Sequence, residues 1–413
     1  MLIFNLSTNK TELNAEISIS GSKSESNRLL ILQQLIAGLT IKNVSDSDDS
    51  KYLEKALNST DRTIDIGHAG TAMRFLTSYF SIKEGREVVL TGSERMQNRP
   101  IEILVNALQD LGATISYEDK IGYPPIRIKG TKLTKDKVQI NGNVSSQYIS
   151  SLLLIASSLP NGLEIELLGK ITSVPYINMT LSLLQELGIE AGFEGNKISV
   201  KPFNSSITKK VIVESDWSSA SYFYSLIALS TIGSEIKLSS YKKNSLQGDS
   251  CLSEIYQHFG VRTIFKEDSI VLKKTNVISS EIEKSHLEVN LSNVPDIAQT
   301  IVVSCFGLGI SCELTGLHTL KIKETDRLVA LENELTKLGA TISVTNESLT
   351  LKKSTKINSN IAIETYKDHR MAMAFAPLAI KVPITILDAN VVTKSYRNFW
   401  KDMQKIGFQI SSI

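Results

Sequence analysis

The sequence predicts an α+β fold with two domains, built from six similar units of about seventy residues each. Three observations support this prediction: the chain length, a pattern that recurs at the ends of helices, and the hairpin signals that follow it. A chain of 413 residues, 42% of them hydrophobic, can bury two sizeable cores. Three units in each domain would account for the whole length.

A recurring pattern at helix ends supports the six units. A helical stretch closes with an apolar residue and a glycine, and a short strand follows. Glycine is expected there because the residue after a helix usually takes a left-handed conformation. The glycines lie 76, 72, 79 and 68 residues apart, at Gly112, Gly188, Gly260, Gly339 and Gly407. A sixth, degenerate copy is predicted near residues 53–66.

Apolar residues in short runs predict antiparallel hairpins after three of these glycines. The paired strands are expected at residues 115–117 with 126–128, 261–265 with 270–272, and 342–344 with 349–351. Each unit therefore combines helices with a small antiparallel sheet, as an α+β fold requires.

Five motifs rich in glycine, serine or charge stand at predicted helix starts. Most of them place a base in the first turn, where the positive end of the helix dipole disfavours it. Such local violations tend to mark functional sites, and the free N–H groups of a helix start bind anions. In chain order, 21–28 precedes a helix at 29–37, 67–74 leads into a helix, 141–147 precedes 149–159, 323–327 opens a helix, and 367–370 precedes 371–380.

The segment 323–327 is the most informative of these motifs. We expect Lys323 and Arg327, four residues apart, to share one face of the first turn of a helix that ends at Gly339. A charge lattice on a solvated helix would explain the segment taken alone. The similar motifs at the other helix starts favour an anion site instead. None of them matches the Walker phosphate loop or the dinucleotide fingerprint.

Composition narrows the class of protein. With 45 basic and 43 acidic residues the formal net charge is +2, which argues against a protein that coats nucleic acid or binds a membrane surface. The five histidines are scattered, and Cys251, Cys305 and Cys312 lack metal-ligand spacing, so we expect reduced thiols, no metal and no cofactor. Residues 1–20 lack signal-peptide features, and no apolar run is long enough to span a bilayer, so we expect a cytoplasmic protein.

The motifs resemble the enolpyruvyl transferase family, in the family's order, from about residue 15 to about residue 400. The matching segments are 21–28, 69–74, 95–101, 144–147, 175–177, 216–223, 247–249, 295–296, 323–327, 368–374 and 393–395. The resemblance implies a two-domain inside-out α/β barrel, in which each domain holds three βαβαββ units. It also implies that residues 1–20 and 215–413 form one discontinuous domain, and that 21–214 form a continuous one.

The resemblance implies a reaction between two small molecules, shikimate 3-phosphate and phosphoenolpyruvate. The 5-hydroxyl of the first attacks C2 of the second, and the tetrahedral intermediate then loses phosphate. We expect no nucleic acid or membrane partner and a monomeric protein. The resemblance implies Asp296 as general base, Glu324 as proton donor, and Lys23 as a cation that contacts both substrates. Glu324 must be protonated to donate, whereas the neighbouring Lys323 favours its anion; the sequence leaves this conflict open.

The resemblance also implies two sets of binding residues. The shikimate 3-phosphate set is Lys23, Ser24, Arg28, Ser145, Ser146, Gln147, Ser173, Tyr176, Asp296 and Lys323. The phosphoenolpyruvate set is Lys23, Gly70, Arg99, Gln147, Arg327, His369, Arg370 and Lys394. Those from Lys23 to Tyr176 fall in the continuous domain, and those from Asp296 to Lys394 fall in the discontinuous domain.

Three alternatives stay open at this point. A transferase acting on UDP-N-acetylglucosamine would carry a reactive loop cysteine and an early Lys-Asn pair, whereas this chain has Lys23-Ser24 and no cysteine before Cys251. A non-catalytic binding protein on the same fold would be expected to have lost Lys23, Asp296 or Glu324. An enzyme that cyclises RNA ends should need a basic groove, which the near-neutral charge disfavours.

Overall fold

The computed structural model describes residues 2–171, 174–275 and 286–412. They form two compact units. The continuous unit is Gly21–Val213, and the discontinuous unit joins Met1–Ser20 to Glu214–Ile413. No helix within these described ranges is both long and apolar enough to cross a membrane.

The chain begins with two strands of the discontinuous unit, β1 (Phe4–Ser7) and β2 (Asn14–Ile17). The continuous unit follows. Its helices are α1 (Lys23–Leu35), α2 (Asp48–Asn58), α3 (Gly70–Ser81), α4 (Glu94–Gln97), α5 (Glu102–Asp110), α6 (Ser146–Ala156) and α7 (Val174–Glu186). Its strands are β3 (Leu39–Lys42), β4 (Thr63–Asp65), β5 (Glu87–Thr91), β6 (Thr114–Tyr117), β7 (Ile126–Lys129), β8 (Lys137–Asn141), β9 (Leu163–Leu168), β10 (Ala191–Glu194), β11 (Lys197–Val200) and β12 (Lys209–Ile212).

The chain then returns to the discontinuous unit. Its helices are α8 (Trp217–Leu229), α9 (Leu252–Ile255), α10 (Ala298–Leu308), α11 (Arg327–Lys337), α12 (His369–Phe375) and α13 (Phe399–Ile406). Its further strands are β13 (Glu235–Ser239), β14 (Val261–Phe265), β15 (Ser269–Lys274), β16 (His286–Asn290), β17 (Ser311–Thr315), β18 (Ile342–Val344), β19 (Leu349–Leu351), β20 (Ile361–Ile363), β21 (Ile384–Ile386) and β22 (Gln409–Ser412). Single 3₁₀ turns include Pro295–Ile297 and His318–Ile322.

Five four-stranded sheets share one topology among the described residues. In each, a parallel pair of strands is extended by two antiparallel strands. The strand orders are β4-β5-β7-β6 and β8-β9-β11-β10 in the continuous unit, and β2-β13-β15-β14, β16-β17-β19-β18 and β20-β21-β1-β22 in the discontinuous unit. The parallel pair β3 and β12 forms a sixth, two-stranded sheet.

The central helices of each unit are buried on every side, as expected for helices inside a core. Every residue of α3 is buried, and so is all of α8 except Ser218. Cys305 and Cys312 are buried free thiols, and Cys251 is a half-buried one, so the prediction of unpaired cysteines is confirmed.

The predicted hairpins and helix-end glycines are confirmed. The three hairpins form as β6–β7, β14–β15 and β18–β19, all antiparallel. All five glycines have positive φ, from 73° at Gly260 to 116° at Gly407. Near residues 53–66, where a degenerate sixth copy is predicted, α2 ends and the short strand β4 follows, which pairs in parallel with β5. The sixth copy stays a prediction.

The predicted helix starts are wrong by several residues. Helix α1 begins at Lys23 rather than near residue 29, and α6 and α12 likewise begin inside their motifs. For α6 and α12 the reason is that the capping side chains lie within the motifs. Ser145 accepts a hydrogen bond from Gln147 N and starts α6, and Asp368 accepts one from Arg370 N and starts α12.

Candidate active site

Helix α11 begins at Arg327, so the expectation that Lys323 lies in its first turn is wrong. The carboxylate of Asp326 caps the helix by accepting hydrogen bonds from Leu328 N at 3.1 Å and Val329 N at 3.2 Å. A capping residue is the last one before the helix, so the helix starts after Asp326 and Lys323 belongs to the preceding turn. The two cations do not share a helix face.

The Arg327 guanidinium is surrounded by three carboxylates. Its Nε donates to Asp368 Oδ2 at 2.7 Å, one Nη donates to Asp296 Oδ1 at 2.8 Å, and the other donates to Glu324 Oε2 at 2.8 Å. Only 2% of the Arg327 side chain is exposed. Burial would lower the pKa of Arg327, but the three carboxylates outweigh it and raise that pKa. A buried charge paired in this way avoids the cost of an uncompensated ion.

Two further cations face Asp296. Lys323 Nζ lies 3.4 Å from Asp296 Oδ1, and an Arg370 Nη lies 3.3 Å from Asp296 Oδ2. Burial would raise the pKa of the Asp296 carboxyl, but Arg370, Lys323 and Arg327 together hold it well below its usual value. Asp296 is therefore ionised at neutral pH. It lies in the 3₁₀ turn before α10, where its side chain makes these ion pairs instead of a helix cap.

Glu324 is held as an anion by a different pair of cations. Lys394 Nζ pairs with Glu324 Oε1, and Arg327 pairs with Oε2. Burial would raise the pKa of Glu324, whereas Lys394, Arg327 and His369 outweigh it and lower that pKa well below its usual value. The conflict foreseen in the sequence therefore exists, but Lys394 and Arg327 cause it rather than Lys323.

His369 and Asp368 complete this cluster. His369 is buried, and its Nδ1 lies 3.6 Å from Asp368 Oδ1. The carboxylate of Asp368 joins the starts of two helices, because it binds Arg327 Nε of α11 and accepts a hydrogen bond from Arg370 N of α12 at 2.9 Å. Asp368 is not among the residues that the resemblance implies for the site. Its place before a predicted helix was the signal for a capping residue.

In the continuous unit, two guanidinium groups lie at the start of α3. A Cβ atom on Gly70 would lie 2.4 Å from Arg99 Nη1 and 3.1 Å from Arg74 Nη1. Arg74 Nη1 donates to Gly70 O at 2.8 Å, and its buried Nε has no hydrogen-bond partner among the described residues. Burial, and then the nearby Arg99, lower the pKa of Arg74 to about 10. Two cations beside the positive end of a helix form an anion site.

Arg74 lies in the motif 67–74 but is not among the residues that the resemblance implies for the site. The start of α6 adds polar groups to this unit. Gln147 Nε2 donates to Thr71 Oγ1 at 3.3 Å, Ser145 is the N-cap, and Ser146 is buried as the first helical residue.

Arg28 connects three helices of the continuous unit. Its guanidinium donates to Thr180 Oγ1 at 2.7 Å, Ser24 O at 2.7 Å, Ser150 Oγ at 2.9 Å and Tyr176 O at 3.2 Å. All four acceptors are uncharged, and burial lowers the pKa of Arg28 to about 10, which keeps it a cation at neutral pH. Lys23, at the first position of α1, is half-buried, and Ser173 lies outside the described residues.

The structure gathers the predicted residues of the discontinuous unit into one cluster, which contains Asp296, Lys323, Glu324, Arg327, His369, Arg370 and Lys394. In the continuous unit it brings Arg28 together with Ser24 and Tyr176, and Gly70 together with Arg99. Lys23 starts α1, while Ser145, Ser146 and Gln147 lie at the start of α6 in the same unit. Within the described ranges, no group of histidine, cysteine and acidic side chains could hold a metal ion.

Comparisons with known proteins identify the relatives of this chain. The family model of EPSP synthase (3-phosphoshikimate 1-carboxyvinyltransferase) matches residues 52–403. A 3-phosphoshikimate 1-carboxyvinyltransferase of Bacteroides fragilis is 44% identical over 407 residues, which cover 97% of each chain. One of Haemophilus influenzae is 35% identical over 94% of this chain and 96% of its own. An EPSP synthase structure from Acinetobacter baumannii matches the whole fold with a TM-score of 0.79 at 20% identity.

Proposed function

Because the chain belongs to the EPSP synthase family, we propose that it is the 3-phosphoshikimate 1-carboxyvinyltransferase of aromatic amino acid biosynthesis. It moves the carboxyvinyl group of phosphoenolpyruvate to the 5-hydroxyl of shikimate 3-phosphate and releases phosphate. The hydroxyl loses its proton and bonds to C2, and the methylene carbon gains a proton. The tetrahedral intermediate then loses phosphate from C2 and a proton from the methyl carbon. A transferase that acts on UDP-N-acetylglucosamine is not favoured, because the relatives are named 3-phosphoshikimate 1-carboxyvinyltransferase.

The two domains are also proposed to share an internal repeat. We assign each sheet to one copy of a βαβαββ unit, three copies in each domain, arranged as an inside-out barrel. The shared topology of the five four-stranded sheets supports this assignment, with β3 and β12 as a reduced sixth copy. The domains are proposed at 1–20 with 215–413 and at 21–214.

Asp296 is the proposed general base. A base must be ionised before it accepts a proton, and the cations around Asp296 keep it so at neutral pH. The same cations weaken its basicity. Contacts that draw Lys323 or Arg370 towards substrate anions would raise the pKa of Asp296 and strengthen it as a base.

Glu324 is the proposed proton donor for the methylene carbon. It is an anion without substrate, so it must gain a proton first. Lys394 and Arg327, the two cations that hold it ionised, also belong to the proposed phosphoenolpyruvate set. A phosphate dianion that binds these cations would neutralise them and place a like charge near the carboxylate, and both effects raise the pKa of Glu324. Substrate binding would thereby prepare the acid.

The remaining residues supply charge and hydrogen bonds to the two anions. Lys23 contacts both substrates, and Gln147 holds Nε2 beside the start of α3, where it donates to Thr71 Oγ1. Shikimate 3-phosphate is assigned to Ser24, Arg28, Ser145, Ser146, Ser173, Tyr176 and Lys323. Phosphoenolpyruvate is assigned to Gly70, Arg99, Arg327, His369, Arg370 and Lys394. All these residues come from one chain, so a monomer carries the full set; we propose a monomer, which sedimentation would test.

One observation supports this function best: a single buried guanidinium bridges two carboxylates that cations hold ionised. That arrangement supplies an acid–base pair within a site for anions. The decisive experiment measures phosphate release with both substrates and then with each one omitted. Release should require both substrates together. Release from phosphoenolpyruvate alone would instead indicate a phosphatase.

The same assay tests whether the two carboxylates act in catalysis rather than in substrate binding. We expect Asp296→Ala and Glu324→Ala each to lower kcat by about 10²- to 10⁴-fold, since each removes one proton transfer, while binding of shikimate 3-phosphate stays measurable. The exposed Glu347→Ala is the matched control and should keep wild-type turnover. Because loss of a buried partner can destabilise the chain, Asp296→Asn and Glu324→Gln repeat the test with unchanged shape. Full turnover in both would disprove the assigned roles.

A further inference from the structure

A strained turn precedes the Asp368 carboxylate. Asp368 N donates to Thr365 O at 2.8 Å, which closes a four-residue turn. Its two central residues, Tyr366 and Lys367, have φ values of 53° and 56°, as a type I′ turn requires. Such turns usually contain Asn-Gly, because side chains with a Cβ atom disfavour positive φ. Tyr-Lys is a costly choice for this turn, so contacts elsewhere must hold it.

Glu334 supplies those contacts from helix α11. Tyr366 Oη donates to Glu334 Oε1 at 2.7 Å, and Glu364 N donates to Glu334 Oε2 at 3.1 Å. Lys337 Nζ also pairs with Glu334, whose carboxylate is almost completely buried. The residue before the turn and the first central residue of the turn are thereby tied to one side chain.

The same helix carries Arg327 seven residues earlier. Arg327 binds the Asp368 carboxylate at one end of the turn segment, and Glu334 binds Tyr366 within it. Asp368 in turn accepts a hydrogen bond from Arg370 N. The turn therefore determines where Asp368 sits between the two arginines that are assigned to phosphoenolpyruvate.

We propose that Glu334 is a positioning residue for the phosphoenolpyruvate site. Through Tyr366 it holds the type I′ turn, and the turn sets the Asp368 carboxylate against Arg327 and the start of α12. The proposal rests on the proposed function for its kinetic consequence, but its structural part concerns the turn alone. Without the Glu334–Tyr366 hydrogen bond, the turn should relax away from positive φ and displace Asp368.

Steady-state kinetics with four variants test the kinetic part. Tyr366→Phe should lower kcat/KM for phosphoenolpyruvate about tenfold, because a small displacement of binding groups is costly, and should change KM for shikimate 3-phosphate less than about twofold. Lys367→Gly should by itself be neutral, since Lys367 is exposed and glycine adopts positive φ readily. In the double variant Tyr366→Phe/Lys367→Gly, glycine should restore activity to within about threefold of wild type. Glu332→Gln, on the same helix, is the matched control.

The rescue distinguishes positioning from general destabilisation. Three results would each overturn the proposal: a Tyr366→Phe variant with wild-type kcat/KM, an equal loss of kcat/KM for both substrates, or a double variant whose kcat/KM does not recover. Glu334→Gln should reproduce the substrate-selective loss and provides a second route to the same result.

Amide hydrogen exchange tests the turn without any need for activity. The Asp368 and Arg370 amides should exchange about tenfold faster in Tyr366→Phe and return towards the wild-type rate in the double variant. Unchanged exchange would overturn the proposal even in an active enzyme. A wild-type chain that releases no phosphate would overturn the proposed function instead, while the exchange result would still decide the role of Glu334.

Discussion

Arg327 balances the charges of the discontinuous unit's site. It occupies the first position of α11, where a cation is unfavourable, and it is buried. Three carboxylates compensate the buried positive charge of Arg327, and two of them are the proposed proton-transfer groups. A single guanidinium thus links Asp296, Glu324 and Asp368, so a change in any of them alters the electrostatics of the others.

The lowered pKa values of Asp296 and Glu324 predict a loss of stability in acid. Cations hold both pKa values well below the ordinary 3.8 and 4.5. A carboxyl with a lowered native pKa contributes stability that is complete above its unfolded pKa and is lost as pH falls towards the native one. Below about pH 4.5 for Glu324 and below about pH 3.8 for Asp296, each should add up to about 1.4 kcal/mol per pH unit to the decline in unfolding free energy.

Urea unfolding between about pH 6 and about pH 3 measures this slope. Asp296→Asn and Glu324→Gln should be less stable at neutral pH. They should lose stability more slowly than wild type as the pH falls below about 3.8 and about 4.5, respectively. The exposed Glu347→Gln should keep the wild-type slope. Equal slopes in all four proteins would mean that the two carboxylates are not held ionised in the native state.

At the scale of elements, helix starts supply the proposed anion-binding groups of both units. Helix α3 begins at Gly70 beside Arg99 and Arg74, while α11 begins at Arg327 and α12 contributes Arg370 from its first turn. Backbone N–H groups add to these side-chain charges. Each helix start depends on one residue type. Gly70 has no Cβ atom and so leaves room for Arg99 at the start of α3, and an aspartate caps α11 and α12.

Gly70→Ala should weaken phosphoenolpyruvate binding without unfolding the protein. The added Cβ atom would lie 2.4 Å from Arg99 Nη1, so the guanidinium must move away from the helix start. We expect KM for phosphoenolpyruvate to rise about tenfold and KM for shikimate 3-phosphate to stay within about twofold. Gly192→Ala is the control and should leave both constants unchanged, because a Cβ atom there would lie 3.9 Å from Ser199 Oγ, an ordinary contact distance. Unchanged kinetics in Gly70→Ala would argue against Arg99 as a ligand of that substrate.

At the scale of the whole molecule, local signals were predictable and long-range pairing was not. Glycine at helix ends and three hairpins followed from spacing, because both depend on residues close in sequence. The pairing of β3 with β12 joins residues 39–42 to 209–212, which no periodicity reveals. The charged groups were found as motifs, yet their partners were not. The ion pair of Arg327 with Asp368 spans 41 residues and depends on how α11 and α12 pack.

The strand pairings of the two units predict different behaviour for their fragments. All strands from β3 to β12 pair within residues 21–213. By contrast, β1 lies between β21 and β22, and β2 pairs with β13, so residues 214–413 lack an inner strand of one sheet and an edge strand of another. An inner strand leaves two rows of hydrogen-bonding groups unpaired when it is removed.

We therefore expect a fragment of residues 21–213 to unfold cooperatively in urea, whereas a fragment of residues 214–413 should not, as followed by circular dichroism. Adding residues 1–20 as a peptide should restore cooperative unfolding to the second fragment, because it returns β1 and β2. The first fragment should also bind shikimate 3-phosphate, more weakly than the whole chain, since it retains Arg28, Ser145 and Ser146 but lacks Lys323. Cooperative folding of residues 214–413 by themselves would show that β1 is dispensable and that the discontinuous unit does not depend on the N-terminal strands.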